Sequence, residues 1–189
     1  MDCITEIKSY IEKNFTEKRK VHTEGVRQTA IKLAEIYGED PTKAEIAALF
    51  HDMYRGVSEN SLNYYVKHLG LDKKYLDNAN LAHGKIAAII MERDFDVTDP
   101  DIVNAVSFHT TGRENMSRLE KIIYIADAVE PGRLYPGVEE IRKMAFEDLD
   151  MACYMSMKST ENFVRSAGKF LDQDTVLARE YLENIIKNK

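Results

Sequence analysis

Cysteine is scarce in this 189-residue chain: Cys3 and Cys153 are the only two, and no CxxC spacing joins them. Two such thiols build neither a disulfide framework nor a zinc ribbon, and a reducing cytoplasm is the compartment they fit. Long apolar runs are missing as well. The opening MDCITEIKSYIEKNF mixes charged with apolar residues and lacks the unbroken apolar core of a signal peptide. No later stretch approaches ~18 uncharged apolar residues, so neither export nor a membrane anchor is expected. Positive charge is not in excess: Lys plus Arg total 26 against 32 for Asp plus Glu, a net charge of −6. That balance gives no general drive toward nucleic acid or an anionic membrane, and any anionic ligand must be held by a local site. Linkers rich in Gly, Ser or Pro, internal repeats and low-complexity tracts are not found either, so 1–189 reads as a single domain.

What is present is enough for a sizeable core, with 44% apolar and 31% charged residues. Helical periodicity recurs along most of the chain, while alternating β-branched runs bounded by hairpin turns do not occur, which predicts an all-α fold. After a charged N-terminal helix, Val26, Ala30, Leu33 and Tyr37 follow at helical intervals and Gly38 supplies a stop. Asp40 and Pro41 open a second segment, with Ala44, Ala47, Ala48 and His51 on or near one stripe and Gly56 as its expected end. Further helices are predicted through LAHGKIAAIIMERDF, from Asp99-Pro100 to His109, and through SRLEKIIYIADAVE. The Pro/Gly-rich EPGRLYPGVEE reads as a loop, followed by one or two amphipathic helices in DLDMACYMSMKSTENFVRSAG and a last one in DTVLAREYLENIIKN.

The histidines carry the chemistry. Four of the five, His22, His51, His83 and His109, fall on four predicted helices at points bordered by apolar residues. Asp52 follows His51 directly, and Asp127 sits inside the apolar run IIYIADAV, where an ionised carboxylate is costly unless a cation neutralises it. A single such histidine is more often a hydrogen-bonded core residue than a ligand. Six ligand-type side chains, one helix after another, are far more specific, and they read as a two-metal site with Asp52 as the central, bridging ligand. Mixed imidazole and carboxylate donors without thiolate favour iron, one ion or two, with manganese, cobalt or nickel as the other candidates, over calcium, magnesium or a structural zinc cage. His68, in a polar stretch, fits no such pattern and reads as a surface residue.

An anionic ligand entering an acidic protein needs cations close by. Arg19, Arg55, Lys85, Arg113 and Arg133 each lie near a candidate ligand in sequence; solvated surface charge is the commoner fate of such residues. A functional reading is favoured for Arg19, Arg55 and Arg133 and left open for Lys85 and Arg113. Cys153 has no evident base beside it, Gly84 belongs to no phosphate-loop motif, and the Met and Tyr residues of MACYMSM read as core packing.

The order H, then HD, then a late D resembles the HD-domain metal-dependent phosphohydrolases, and the two extra histidines resemble their dinuclear branch. HTEGV, LFHDMYRG, LAHGKIAA, FHTTGREN, LEKIIYIADAVEPGRLYPGVEEIR and EDLDMA together resemble the YqeK family of bacterial symmetrical bis(5'-nucleosyl)-tetraphosphatases, over roughly residues 19–185. The resemblance implies an HD-domain helical bundle over about residues 18–132, with a C-terminal helical extension over about 137–187. It implies hydrolysis of diadenosine tetraphosphate to two ADP through a metal-bound hydroxide. It assigns His22, His51, Asp52 and Asp127 to one iron and Asp52, His83 and His109 to a second metal, or His83 and His109 to the nucleotide phosphates. Asp52 and Arg55 take the catalytic role, and Arg19, Thr110 and Arg133 join the substrate contacts. Arg55 stands where the family commonly has Lys. The expected partner is a small-molecule nucleotide, with no nucleic acid and no membrane; oligomeric state has no clear signature, and a homodimer is one arrangement left open. Two other readings remain: an HD hydrolase acting on a different nucleotide, such as a nucleoside monophosphate, a deoxynucleotide or a guanosine polyphosphate, and a metal-bearing nucleotide sensor without turnover.

Overall fold

Local capping chemistry sets where the helices begin. In the computed structural model, which describes residues 2–188, Asp2 caps α1 (Cys3–Asn14) and Thr16 caps α2 (Glu17–Tyr37) by accepting the Arg19 amide. Asp40 caps α3 (Pro41–Phe50) and Ser58 caps α4 (Glu59–His68). A 3₁₀ turn at Lys73–Tyr75 leads to α5 (Ala79–Phe95); Asp99 and Ser117 cap α6 (Pro100–Phe108) and α7 (Arg118–Val129). The C-terminal part holds α8 (Val138–Ala145), α9 (Leu149–Ser166) and α10 (Gln173–Lys187). Each side-chain cap contributes about 1 kcal/mol and, as important here, fixes the direction in which a helix leaves its turn. No strand occurs among the described residues, as the periodicity predicts.

The core is the meeting of apolar faces from α2, α3, α5, α6 and α7. Val26, Ala30 and Leu33 from α2 are fully buried, as are Ala44, Ala47 and Ala48 from α3 and Ile122, Ile123 and Ile125 from α7. The alanines matter because small side chains let α2 and α6 come close to α3, which packs against both. α6 lies between α5 and α7, and α9 packs on α7, α8 and α10, so the C-terminal helices form a layer beside the bundle. Each large aliphatic side chain withdrawn from water contributes roughly 1.5–3 kcal/mol.

Four boundaries differ from the sequence reading. α3 ends at Phe50, and 51–56 form consecutive turns up to Gly56. Inside a regular helix His51 and Asp52 would point ~100° apart; His51 keeps helical backbone angles and its bond to the Ala47 carbonyl, tighter turns follow, and the two side chains are 0% and 7% exposed. His109 likewise sits just past the last residue of α6. α4 was hidden because ENSLNYYVKH buries only Leu62 and Val66. α8 starts at Val138, within the stretch read as loop; the segment from Leu149 is one helix, one of the two arrangements the sequence left open.

Candidate metal centre and its cleft

Ligand-type side chains from five places in the fold converge. α2 brings His22, the turn after α3 brings His51 and Asp52, α5 brings His83, the end of α6 brings His109, and α7 brings Asp127. Asp52 lies in the middle. Its Oδ1 is 3.2 Å from His83 Nε2 and 4.0 Å from His109 Nε2, while its Oδ2 is 3.7 Å from His22 Nε2 and 3.8 Å from His51 Nε2. Asp127 Oδ1 stands 3.1 Å from His22 Nε2 and 4.0 Å from His51 Nε2. Two sets, His22 with His51 and Asp52, and Asp52 with His83 and His109, each keep their donor atoms within 4.8 Å of one another.

The imidazoles are held in one tautomer. His51, His83 and His109 donate Nδ1–H to the carbonyls of Ala48, Ala79 and Val106 at 2.6, 3.0 and 2.7 Å, which turns the Nε2 of each ring toward Asp52. Burial lowers the His51 pKa, and burial together with His83 and His51 brings His109 down to about 3, so these two rings stay neutral. Burial alone would raise Asp52 and Asp127. Hydrogen bonds and positive charge facing the two carboxyls, from His83 at Asp52 and from His22 and Arg133 at Asp127, instead hold both below the usual range. His51 Nε2 is buried without a hydrogen-bond partner, and His83 and His109 bring two Nε2 atoms within 3.0 Å. A buried unpaired acceptor and two facing lone pairs are unfavourable unless a cation lies among them. The donor set therefore fits divalent metal, with Asp52 able to bridge two ions.

Sequence reasoning missed Glu130. This carboxylate, 4% exposed, accepts His22 Nδ1–H at 3.1 Å and the Gly132 amide at 2.5 Å. It orients His22 from behind, and with Asp127 it raises the His22 pKa against the effect of burial. The available signal was its position three residues after Asp127, immediately past the end of α7. Two glycines make room for the arrangement. A Cβ on Gly25 would lie 2.7 Å from Glu130 Oε2, and one on Gly84 would lie 2.9 Å from His109 Cε1 and 3.0 Å from the Val106 carbonyl.

The centre forms the floor of a cleft of about 860 Å³. Arg19 pairs with Asp52 Oδ2 and Arg133 with Asp127 Oδ1, and Arg133 Nε also donates to the Asp127 carbonyl at 2.8 Å. Arg55 and Thr110 line the cleft too, with Thr110 Oγ1 3.2 Å from His109 Nε2. Every site residue expected from sequence thus faces the cleft except His51, which is buried behind it. The two cations left open lie elsewhere: Lys85 Nζ is 3.2 Å from the centre of the Phe108 ring, and Arg113 pairs with the buried Glu120 at 2.6 Å. His68 is exposed and stacks on Tyr64. Cys153 is buried, and burial pushes its thiol up, away from reactivity.

Comparison with known proteins gives concordant matches. The HD domain family matches residues 19–132. A symmetrical bis(5'-nucleosyl)-tetraphosphatase of Bacillus subtilis is 40% identical over 173 residues, 91% of this chain and 93% of that protein. One of Staphylococcus aureus is 38% identical over 164 residues, 85% of this chain and 84% of that protein. The crystal structure of a protein from Clostridium acetobutylicum, described as a predicted HD superfamily hydrolase involved in NAD metabolism, superposes with a TM-score of 0.90 at 44% identity, covering 98% of this chain and 97% of that one. No helix among the described residues is long and apolar enough to cross a membrane.

Proposed function

This chain belongs to the HD domain family and, within it, groups with the symmetrical bis(5'-nucleosyl)-tetraphosphatases, and on that footing we propose that it cleaves diadenosine tetraphosphate into two ADP with iron at its His/Asp centre. The carrying observation is one carboxylate, Asp52, serving two pairs of imidazoles at the floor of a cleft whose cations face the same point. His22, His51, Asp52 and Asp127 are the ligands of one ion. Asp52, His83 and His109 are those of a second; where it is not held, a phosphate oxygen can be bound by these two imidazoles through a protonated Nε2. Nitrogen and carboxylate donors without thiolate suit iron, and manganese, cobalt and nickel share that chemistry. A divalent ion bound there supplies Lewis-acid activation of water and of a phosphoryl oxygen near neutral pH.

The chain's own residues do the rest. Arg19 and Arg133 end in guanidinium groups already paired with oxygens at the centre. A phosphate presents the same two-oxygen edge, so each arginine can pass from carboxylate to substrate without losing its counter-charge. Arg55, with its rigid planar fork, adds a third cation along the cleft wall, and the Thr110 hydroxyl can donate to a phosphate oxygen beside His109. Together they offset charge on the departing ADP. Addition of one water across the central P–O–P bond leaves two phosphates on each adenosine, so ADP is the sole nucleotide product; an asymmetric cut gives AMP and ATP.

Metal analysis of anaerobically purified protein, paired with product identification from diadenosine tetraphosphate and a panel of other nucleotides, tests this reading. The expected result is bound iron and ADP alone. Asp52→Ala is expected to lose metal and turnover together. Wild-type turnover with retained iron in that variant overturns the site, turnover of a different nucleotide overturns the substrate, and tight ADP binding without turnover revives the sensor.

A further inference from the structure

We propose that Phe163 and Phe170 form the seat on which one adenine ring of the substrate stacks, an assignment that rests on the nucleotide reading above. Both phenylalanines flank the turn between α9 and α10, and both line the cleft that has Asp52 and Asp127 on its floor. They are 62% and 61% exposed, although elsewhere on α9 the apolar side chains turn inward, Met157 completely. Holding two phenyl rings largely in water forgoes most of what their burial would contribute. Core packing therefore does not explain their placement.

The cleft changes character along its length. One part of its lining carries the imidazoles, the carboxylates and Arg19, Arg55 and Arg133; another, from the end of α9 and the turn after it, carries Phe163, Val164, Phe170 and Leu171. Lys169, 5.6 Å over the Phe163 ring, adds one more cation to the lining beside the phenylalanines. A nucleotide is built in the same order: anionic phosphates, then a polar sugar, then a flat base with two apolar faces. Aromatic side chains bind such bases by stacking, and this tolerates any base with a large π-face. The seat accordingly favours purines over pyrimidines by ring area and does not read the edge that separates adenine from guanine. It lies outside residues 19–132, the part that matches the HD domain, so chemistry and base binding come from different parts of the chain.

Calorimetric titration of the metal-loaded full chain with ADP and with inorganic tripolyphosphate, in wild type, Phe163→Ala, Phe170→Ala and Phe163→Trp, tests the seat without needing turnover. ADP affinity is expected to fall about tenfold in each alanine variant, on the scale of one lost stacking contact, and to be retained in the tryptophan variant. Tripolyphosphate, which has no base, should bind all four proteins equally. With diadenosine tetraphosphate, KM is expected to rise in the alanine variants while kcat stays within about twofold. Unchanged ADP affinity in both alanine variants, or an equal loss for ADP and tripolyphosphate, overturns the seat. Failure of the wild type to make ADP from diadenosine tetraphosphate overturns the preceding reading instead, and the two titrations still report on the seat.

Discussion

Replacing Gly25 with alanine separates two opposing effects at one atom. In the interior of α2 the exchange by itself should stabilise the helix by roughly 0.5–1 kcal/mol, because glycine loses more backbone freedom on folding. The new methyl group would lie 2.7 Å from Glu130 Oε2, an oxygen held by the Gly132 amide at 2.5 Å, while the other oxygen accepts from His22 at 3.1 Å. The carboxylate must move. Losing a hydrogen bond to a charged acceptor costs about 1.5–3 kcal/mol, so the metal-free variant should be less stable than wild type by about 1–2 kcal/mol. Loss of an orienting partner behind a metal-binding histidine costs 10–100-fold in metal affinity, roughly, and the same decrease is expected here. Chelator competition measures the affinity, and thermal melting of the metal-free protein measures the stability. In Glu130→Ala the obstructing oxygen is gone, so adding Gly25→Ala to it should lower affinity no further; this non-additivity marks a shared mechanism. Wild-type metal affinity in Gly25→Ala, accompanied by a raised melting temperature, refutes the reasoning.

Gly84→Ala should push α6 away from α5, because the obstructing atoms include the Val106 carbonyl; calorimetry is expected to report a loss of about 1–3 kcal/mol, with metal occupancy reduced at the His83 and His109 side of the centre. Burial brings Lys85 down to about 8 from the ordinary 10.5. Between those two values the unfolded chain keeps a proton that the folded chain has released, so this residue makes stability rise with pH there. Lys85→Met should therefore be more stable than wild type at pH 7 by about 3 kcal/mol, and denaturant titrations should find the difference shrinking above pH 8. Stripping the metal with a chelator should lower the melting temperature. At a hundredfold excess of metal over its Kd the difference corresponds to about 2.7 kcal/mol, and it should vanish in Asp52→Ala.

The metal-ligand candidates were legible because each announces itself locally, as a His or Asp in an apolar helical frame. The all-α class was legible for the same reason, with Asp40-Pro41, Asp99-Pro100 and Gly38 marking boundaries that the structure keeps. What stayed hidden depends on contacts between distant segments. Glu130 looks like a helix-end carboxylate until His22, 108 positions away, is seen to donate to it. Gly25 and Gly84 are ordinary helix-interior glycines until the neighbouring helix is in place. The end of α3 at Phe50 was missed because nothing in HDMYRG breaks a helix before Gly56; the demand that His51 and Asp52 both face inward is a property of the centre. Phe163 shared a segment with MACYMSM, whose buried Cys153 and Met157 made inward packing the natural reading of its neighbours too.

The cleft has two owners. Its floor is built between His22 and Asp127, and α8, α9 and α10 add no side chain to either donor set, yet α9 and the turn leading to α10 supply much of the lining. Exchange of the chain after Gly137 could then redirect which molecules enter while the bond-breaking apparatus stays intact, and point changes in that tail have room to diversify a lineage of hydrolases without first dismantling what makes them hydrolases.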